Sequence, residues 1–168
     1  IQNQNTIDSN IVTKENINPV EKNWVLFLNK ENQLKIIYKW FPITIGSYIN
    51  EDDNMCFKNT HKVQTPSFFE YLRGSTNGII VGDELWFITH IVSYEQKRFY
   101  YHMFVILDKN TYNLKNYSQL FTFEGEPIEY TLGFVLLNDN FLIGYSTIDR
   151  NTKYINVKKD DIYDLLLL

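Results

Sequence analysis

Three apolar runs, each broken by a polar turn and resumed as a second apolar run, recur along this chain at nearly constant spacing. The first pair covers residues 24–28 and 33–38, the second 76–81 and 85–90, and the third 131–137 and 141–145. Their starting positions, Trp24, Thr76 and Thr131, lie 52 and 55 residues apart, and so do their end positions, Tyr38, His90 and Tyr145. Ile36, Ile88 and Ile143 fall on the same register. Each intervening turn carries Asn, Asp or Gly, the residues that let two strands fold back tightly on one another. Further strand-like segments follow at 43–49 and 55–64, at 98–108 and 114–123, and at 153–158. A unit of four antiparallel strands every ~50 residues is the period of a β-propeller blade, and longer than that of leucine-rich or tetratricopeptide repeats.

The resulting expectation is an all-β chain of two complete four-stranded blades, 21–72 and 73–127, and a partial third, 128–158, within one propeller, five-bladed when whole. Residues 1–20, through a strand near 7–12, read as the end of a preceding blade or a linker. The tail 159–168 reads as one or two helical turns. Composition agrees: the chain has no alanine, and its 12 Tyr, 12 Phe and 3 Trp favour strands over helices. An open fan of blades leaves sheet faces exposed. The polar start without an initiator Met therefore reads as a cut, with missing N-terminal blades or a partner chain completing the ring.

Several classes of function drop out. A net charge of −4 without a basic stripe excludes sequence-driven nucleic-acid binding. No apolar run reaches the ~18 residues of a membrane span, so a soluble protein is expected. Cys56 is the single cysteine, which excludes an intrachain disulfide and a cysteine-based zinc site and leaves the compartment unknown. His61, His90 and His102 lack metal-ligand spacing, and no phosphate loop, dinucleotide fingerprint or Ser-His-Asp order calls for a cofactor or a known catalytic device.

In a blade, the start of the first strand and the end of the second lie at the same end of the central channel. Three units thus bring Lys22, Asn23, Trp24, Tyr38 and Trp40, then Arg73 and His90, then Glu129, Tyr145 and Asp149 toward one mouth. Cations, amides, carboxylates and rings in that combination suit a sugar, and Lys22, Arg73 and His90 together suit an anion such as phosphate. The duller reading makes Lys22 and Arg73 partners of Glu21, Glu129 or Asp149, His90 a packing residue, His102 exposed or satisfied within its sheet, and the tryptophans core.

Glu21, Lys22, Asn23 and Trp24, the Arg73-Gly-Ser-Thr76 segment, His90, and the run from Tyr145 to Asp149 resemble the C-terminal half of glycoside hydrolase family 130. Tyr100 to Met103, Leu107 to Thr111 and Ile128 to Tyr130 resemble uncharacterised propeller domains of giant-virus and bacterial glycan-related proteins. The first resemblance implies a five-bladed propeller of β-mannoside phosphorylases and hydrolases. By that resemblance Lys22 and His90 match phosphate-contacting positions and Asp149 a late sugar-side aspartate. The family's general acid belongs to an earlier blade and has no counterpart here, and the Arg73 segment departs from the family's Gly/Pro-rich loop. Two readings stand: a carbohydrate-binding or structural propeller domain without the acid, with virion association among its contexts, or the C-terminal half of an active inverting phosphorylase or hydrolase.

Overall fold

The computed structural model describes residues 12–13, 19–51, 54–94 and 97–168. Three antiparallel sheets follow one another in the chain, and the all-β expectation holds. The first contains β2 (Val25–Leu28), β3 (Leu34–Trp40), β4 (Ile43–Glu51) and β5 (Asn54–Val63), with β1 (Val12–Thr13) parallel to β5 on its outer edge. A 3-10 turn, Ser67–Tyr71, leads to the second sheet. There β6 (Arg73–Gly74) and β7 (Ile79–Val81) both pair with β8 (Glu84–Ser93), followed by β9 (Phe99–Asp108) and β10 (Leu114–Tyr117). The third is β11 (Glu129–Leu137), β12 (Asn140–Thr147) and β13 (Asn151–Lys158), and a short helix, α1 (Lys159–Tyr163), closes it.

Side-chain alternation explains how the sheets stack. On β8 and β9, Leu85, Phe87, Met103, Val105 and Leu107 join a core with Val25, Phe27, Ile37 and Ile45 of the first sheet. The alternate residues Trp86, Ile88, Phe104 and Ile106 join a second core with Phe141 and Ile143 of the third sheet and Ile162 of α1. The middle sheet is thus buried on both faces, which is why its strands read as unbroken apolar runs. In β12 only every second residue is buried, and β13 is largely exposed, as a one-faced sheet requires.

Three expectations need correction. Val12 pairs on the outer edge of the first sheet itself rather than in a preceding blade, and residues 1–11 lie outside the described set, as do Asp52 and Asp53. The segment 114–123 is a strand only over Leu114–Tyr117, continuing through the isolated bridge of His102 with Phe121. The first strand of the second unit is split. His90 pairs with Arg73 instead of Thr76, three residues out of step with the repeat. The reason is local: Thr76 ties both its amide and its hydroxyl to the Ile88 peptide, with Ile88 N–H donating to Thr76 Oγ1 at 3.0 Å. Gly78 N–H then donates to Leu26 O of the first sheet at 2.9 Å.

Candidate functional site

Lys22 and Asn23 enter the first sheet just ahead of β2, and Arg73 begins the second sheet beside them. Gly74 makes that approach possible. A Cβ there would lie 2.7 Å from Asn23 O and would overlap the Val25 side chain. Asn23 itself takes a left-handed φ of 61°, a conformation that asparagine tolerates better than most residues. Together with Tyr38, Lys39, Trp40, Glu70 and Leu72 they line a cavity of about 390 Å³. A shallower depression of about 420 Å³ shares Lys22, Tyr38, Lys39 and Arg73 and adds Glu21 and Trp24. Among the described residues neither Lys22 nor Arg73 is paired with a carboxylate. Glu21, the expected partner of Lys22, accepts hydrogen bonds from Trp24 Nε1 at 3.2 Å and Tyr38 Oη at 2.8 Å.

His90 lies across the strand pair from Arg73 and is 3% exposed. Its Nδ1 is 2.8 Å from Ser75 Oγ, and the rings of Tyr100 and Tyr130 stand 5.5 and 5.4 Å from it. Burial depresses its pKa from 6.5 to about 4, and His102, Arg73 and Lys22 add to the effect. His90 is therefore neutral at pH 7. His102 is its cross-strand partner and is completely buried, correcting the exposed reading. Its Nδ1 is 3.1 Å from Thr131 Oγ1 of the third sheet, its Nε2 has no partner among the described residues, and burial lowers its pKa to about 4 as well.

The third unit's residues sit differently. Glu129 is fully buried, and its carboxylate accepts the amides of Phe123 at 2.6 Å, Glu124 at 2.8 Å and Glu126 at 3.1 Å. Tyr145 stacks on Phe123 with centroids 4.2 Å apart and donates to Glu124 Oε1 at 2.6 Å, which pushes its pKa up to about 12. Lys153 completes that cluster, 2.8 Å from Glu124. Asp149 is exposed in the turn between β12 and β13, at φ 52°. Neither Tyr145 nor Asp149 lines the cavity. Of the third unit, it is Tyr130 that reaches His90.

Sequence reasoning missed Glu70 and Leu72, because the 3-10 turn carries no period-2 pattern. Pro66 ahead of it was the available signal. Tyr100 was recognised as a strand residue, but its place against His90 depends on cross-strand register, which spacing alone does not reveal. Among the described residues no group of His, Cys, Asp or Glu has a metal-binding arrangement, and no helix is long and apolar enough to cross a membrane.

No protein-family profile and no curated protein matches the chain. Solved structures do. The chain is similar to the β-1,2-mannobiose phosphorylase of Listeria innocua, solved with β-1,2-mannobiose, at a TM-score of 0.62 and 16% identity over 88% of this chain. It is also similar to a mannose phosphorylase of Leishmania mexicana, solved with phosphate ion, at a TM-score of 0.57 and 12% identity over 88% of this chain. It spans 47% and 54% of those two chains, about half of each. At such identities the likeness concerns the fold: three successive sheets arranged as propeller blades.

Proposed function

We propose that this chain is a carbohydrate-binding propeller module whose mouth holds a phosphate or a sugar phosphate. The observation that carries the reading is the pair Lys22 and Arg73. They come from successive sheets, face one cavity and have no carboxylate partner among the described residues. Glu70 and Glu21 line the same mouth without forming an ion pair to either cation among the described residues, and a bound anion would accept hydrogen bonds from both Lys22 and Arg73. Asn23 adds an amide and His90 a neutral imidazole on the same side. The half-buried rings of Tyr38 and Tyr130 offer the apolar faces that sugars stack on. Asp149 and Tyr145 stand outside that cavity, Tyr145 being engaged with Glu124. Glu129 organises the loop beneath.

Similarity to two phosphorylases, one solved with phosphate ion and one with mannobiose, supports the choice of ligand. It also keeps a second reading in play, in which the module is one half of an active inverting phosphorylase and further blades supply the general acid. Those blades would cover the open face of the third sheet.

Titration of the chain with inorganic phosphate and with mannose 1-phosphate tests the proposal. Lys22→Ala and Arg73→Ala are each expected to weaken binding about tenfold, the cost of one charge-assisted hydrogen bond. Binding that neither variant alters, or no binding of either ligand, would overturn it. Phosphorolysis of a β-mannoside by a longer protein that contains this chain, and none by the chain alone, would favour the second reading.

A further inference from the structure

We propose that Ser75 is a positioning residue: it donates its hydroxyl proton to His90 Nδ1, fixes the imidazole proton on Nε2, and so makes His90 a hydrogen-bond donor to the anion. The proposal rests on the anion-binding reading above and names the group that completes that site.

Geometry supplies the argument. Ser75 Oγ and His90 Nδ1 are 2.8 Å apart, and this is the one partner of the Ser75 hydroxyl among the described residues. The hydroxyl proton finds its acceptor in the Nδ1 lone pair, and a ring nitrogen that accepts there leaves the proton on the other nitrogen. The cross-strand neighbour provides a contrast. His102 has the same hydroxyl contact, from Thr131, but its Nε2 is sealed in the protein without a described partner. Among the described residues only Trp40 Nε1 and His102 Nε2 are sealed in that way, and His90 Nε2 is not among them.

Every group packed around His90 favours a neutral donor. Arg73 pairs with it across β6 and β8, Lys22 approaches from the first sheet, and His102 lies beside it on β9. Tyr100 and Tyr130 add uncharged rings beside it. A third positive charge among these groups is unfavourable, whereas a neutral Nε2–H adds a directed donor at no charge cost. An anion held by Lys22 and Arg73 then meets three donors from two sheets.

The test reads the tautomer directly, by long-range proton–nitrogen correlation of the histidine side chains in the full chain at pH 7, alongside phosphate titration. The wild-type chain is expected to show His90 with a pyridine-type Nδ1 and a protonated Nε2. Ser75→Ala is expected to mix the tautomers and weaken phosphate binding about fivefold, and Ser75→Thr to restore both. A purely structural serine would change stability and leave the tautomer as it was. A wild-type His90 protonated on Nδ1, or a tautomer unmoved in Ser75→Ala, overturns the proposal. If phosphate fails to bind while the tautomer responds as described, the anion-binding reading falls and the positioning role of Ser75 stands.

Discussion

Glu129 is a buried carboxylate whose charge is balanced by three backbone amides instead of a cation. Such an arrangement stabilises a loop strongly and leaves little capacity for a ligand. Glu129→Ala is expected to lower stability by about 3 kcal/mol, since it strands three N–H donors. A urea denaturation curve unchanged by the substitution would return Glu129 to the ligand-binding set. His90 and His102 make stability depend on pH. Both titrate near 4 in the folded chain against 6.5 ordinarily, so unfolding takes up protons between those values. Their contribution is complete above about pH 6.5, falls as pH drops toward 4, and amounts to at most about 3 kcal/mol each. The two are not additive, because His102 is itself one cause of the His90 shift. Denaturation at pH 7 and pH 4.5 should show this loss, and His102→Gln should make it shallower. Sequence placed Lys22, Asn23 and Arg73 at one mouth, since strand ends alone dictate that. It could not tell which polar residues remain free, because hydrogen-bond partners for Glu129 and Tyr145 come from a loop folded back in three dimensions.

At the level of elements, turn chemistry and alternation carried most of the pattern, and the exceptions have identifiable causes. Gly74 is required where the second sheet meets the first. Gly74→Val should cost at least 1–3 kcal/mol by overpacking against Val25 and should disturb Asn23, which equilibrium denaturation and the phosphate titration would both register. The C-terminal segment behaves as an extra strand on the second sheet. Gln119 N–H donates to Leu165 O, Leu167 N–H to Tyr117 O, and Ser118 bridges Leu166. Asn116 fastens it by accepting from the amides of Leu167 and Leu168 and donating to Leu168 O at 2.7 Å. Asn116→Ala is expected to speed amide exchange at Gln119 and Leu167 severalfold while exchange in β8 and β9 stays slow. Exchange at Gln119 equal to wild type would mean that α1, through buried Ile162, holds the segment unaided. The sequence signalled one or two helical turns there, and the local pattern holds no trace of the return to the second sheet.

For the molecule as a whole, the third sheet is the consequential surface. Phe134 and Leu136 pack inward, so alternation turns Val135 and Leu137 to the opposite face, where they are 42% and 52% exposed. Gly133 and Gly144 leave bare backbone beside them, with nothing near the space their Cβ atoms would fill except Gly133 O, 3.9 Å from that of Gly144. An apolar face of this kind drives association. This 168-residue chain is expected to self-associate in sedimentation velocity, and Val135→Lys with Leu137→Lys to shift it toward monomer. A monomeric wild-type chain at high concentration would show that the face is adequately solvated.

What the sequence determined by itself was the repeat, the hairpins and the all-β class. These follow from period, turn residues and alternation, all properties of a few neighbouring positions. Tertiary structure alone decided that Arg73 faces His90, that Thr76 interrupts a strand, that His102 is buried and that Glu129 is engaged by amides. Each of those depends on competition among distant partners for the same donors, acceptors and space, and that competition is resolved only when the sheets pack.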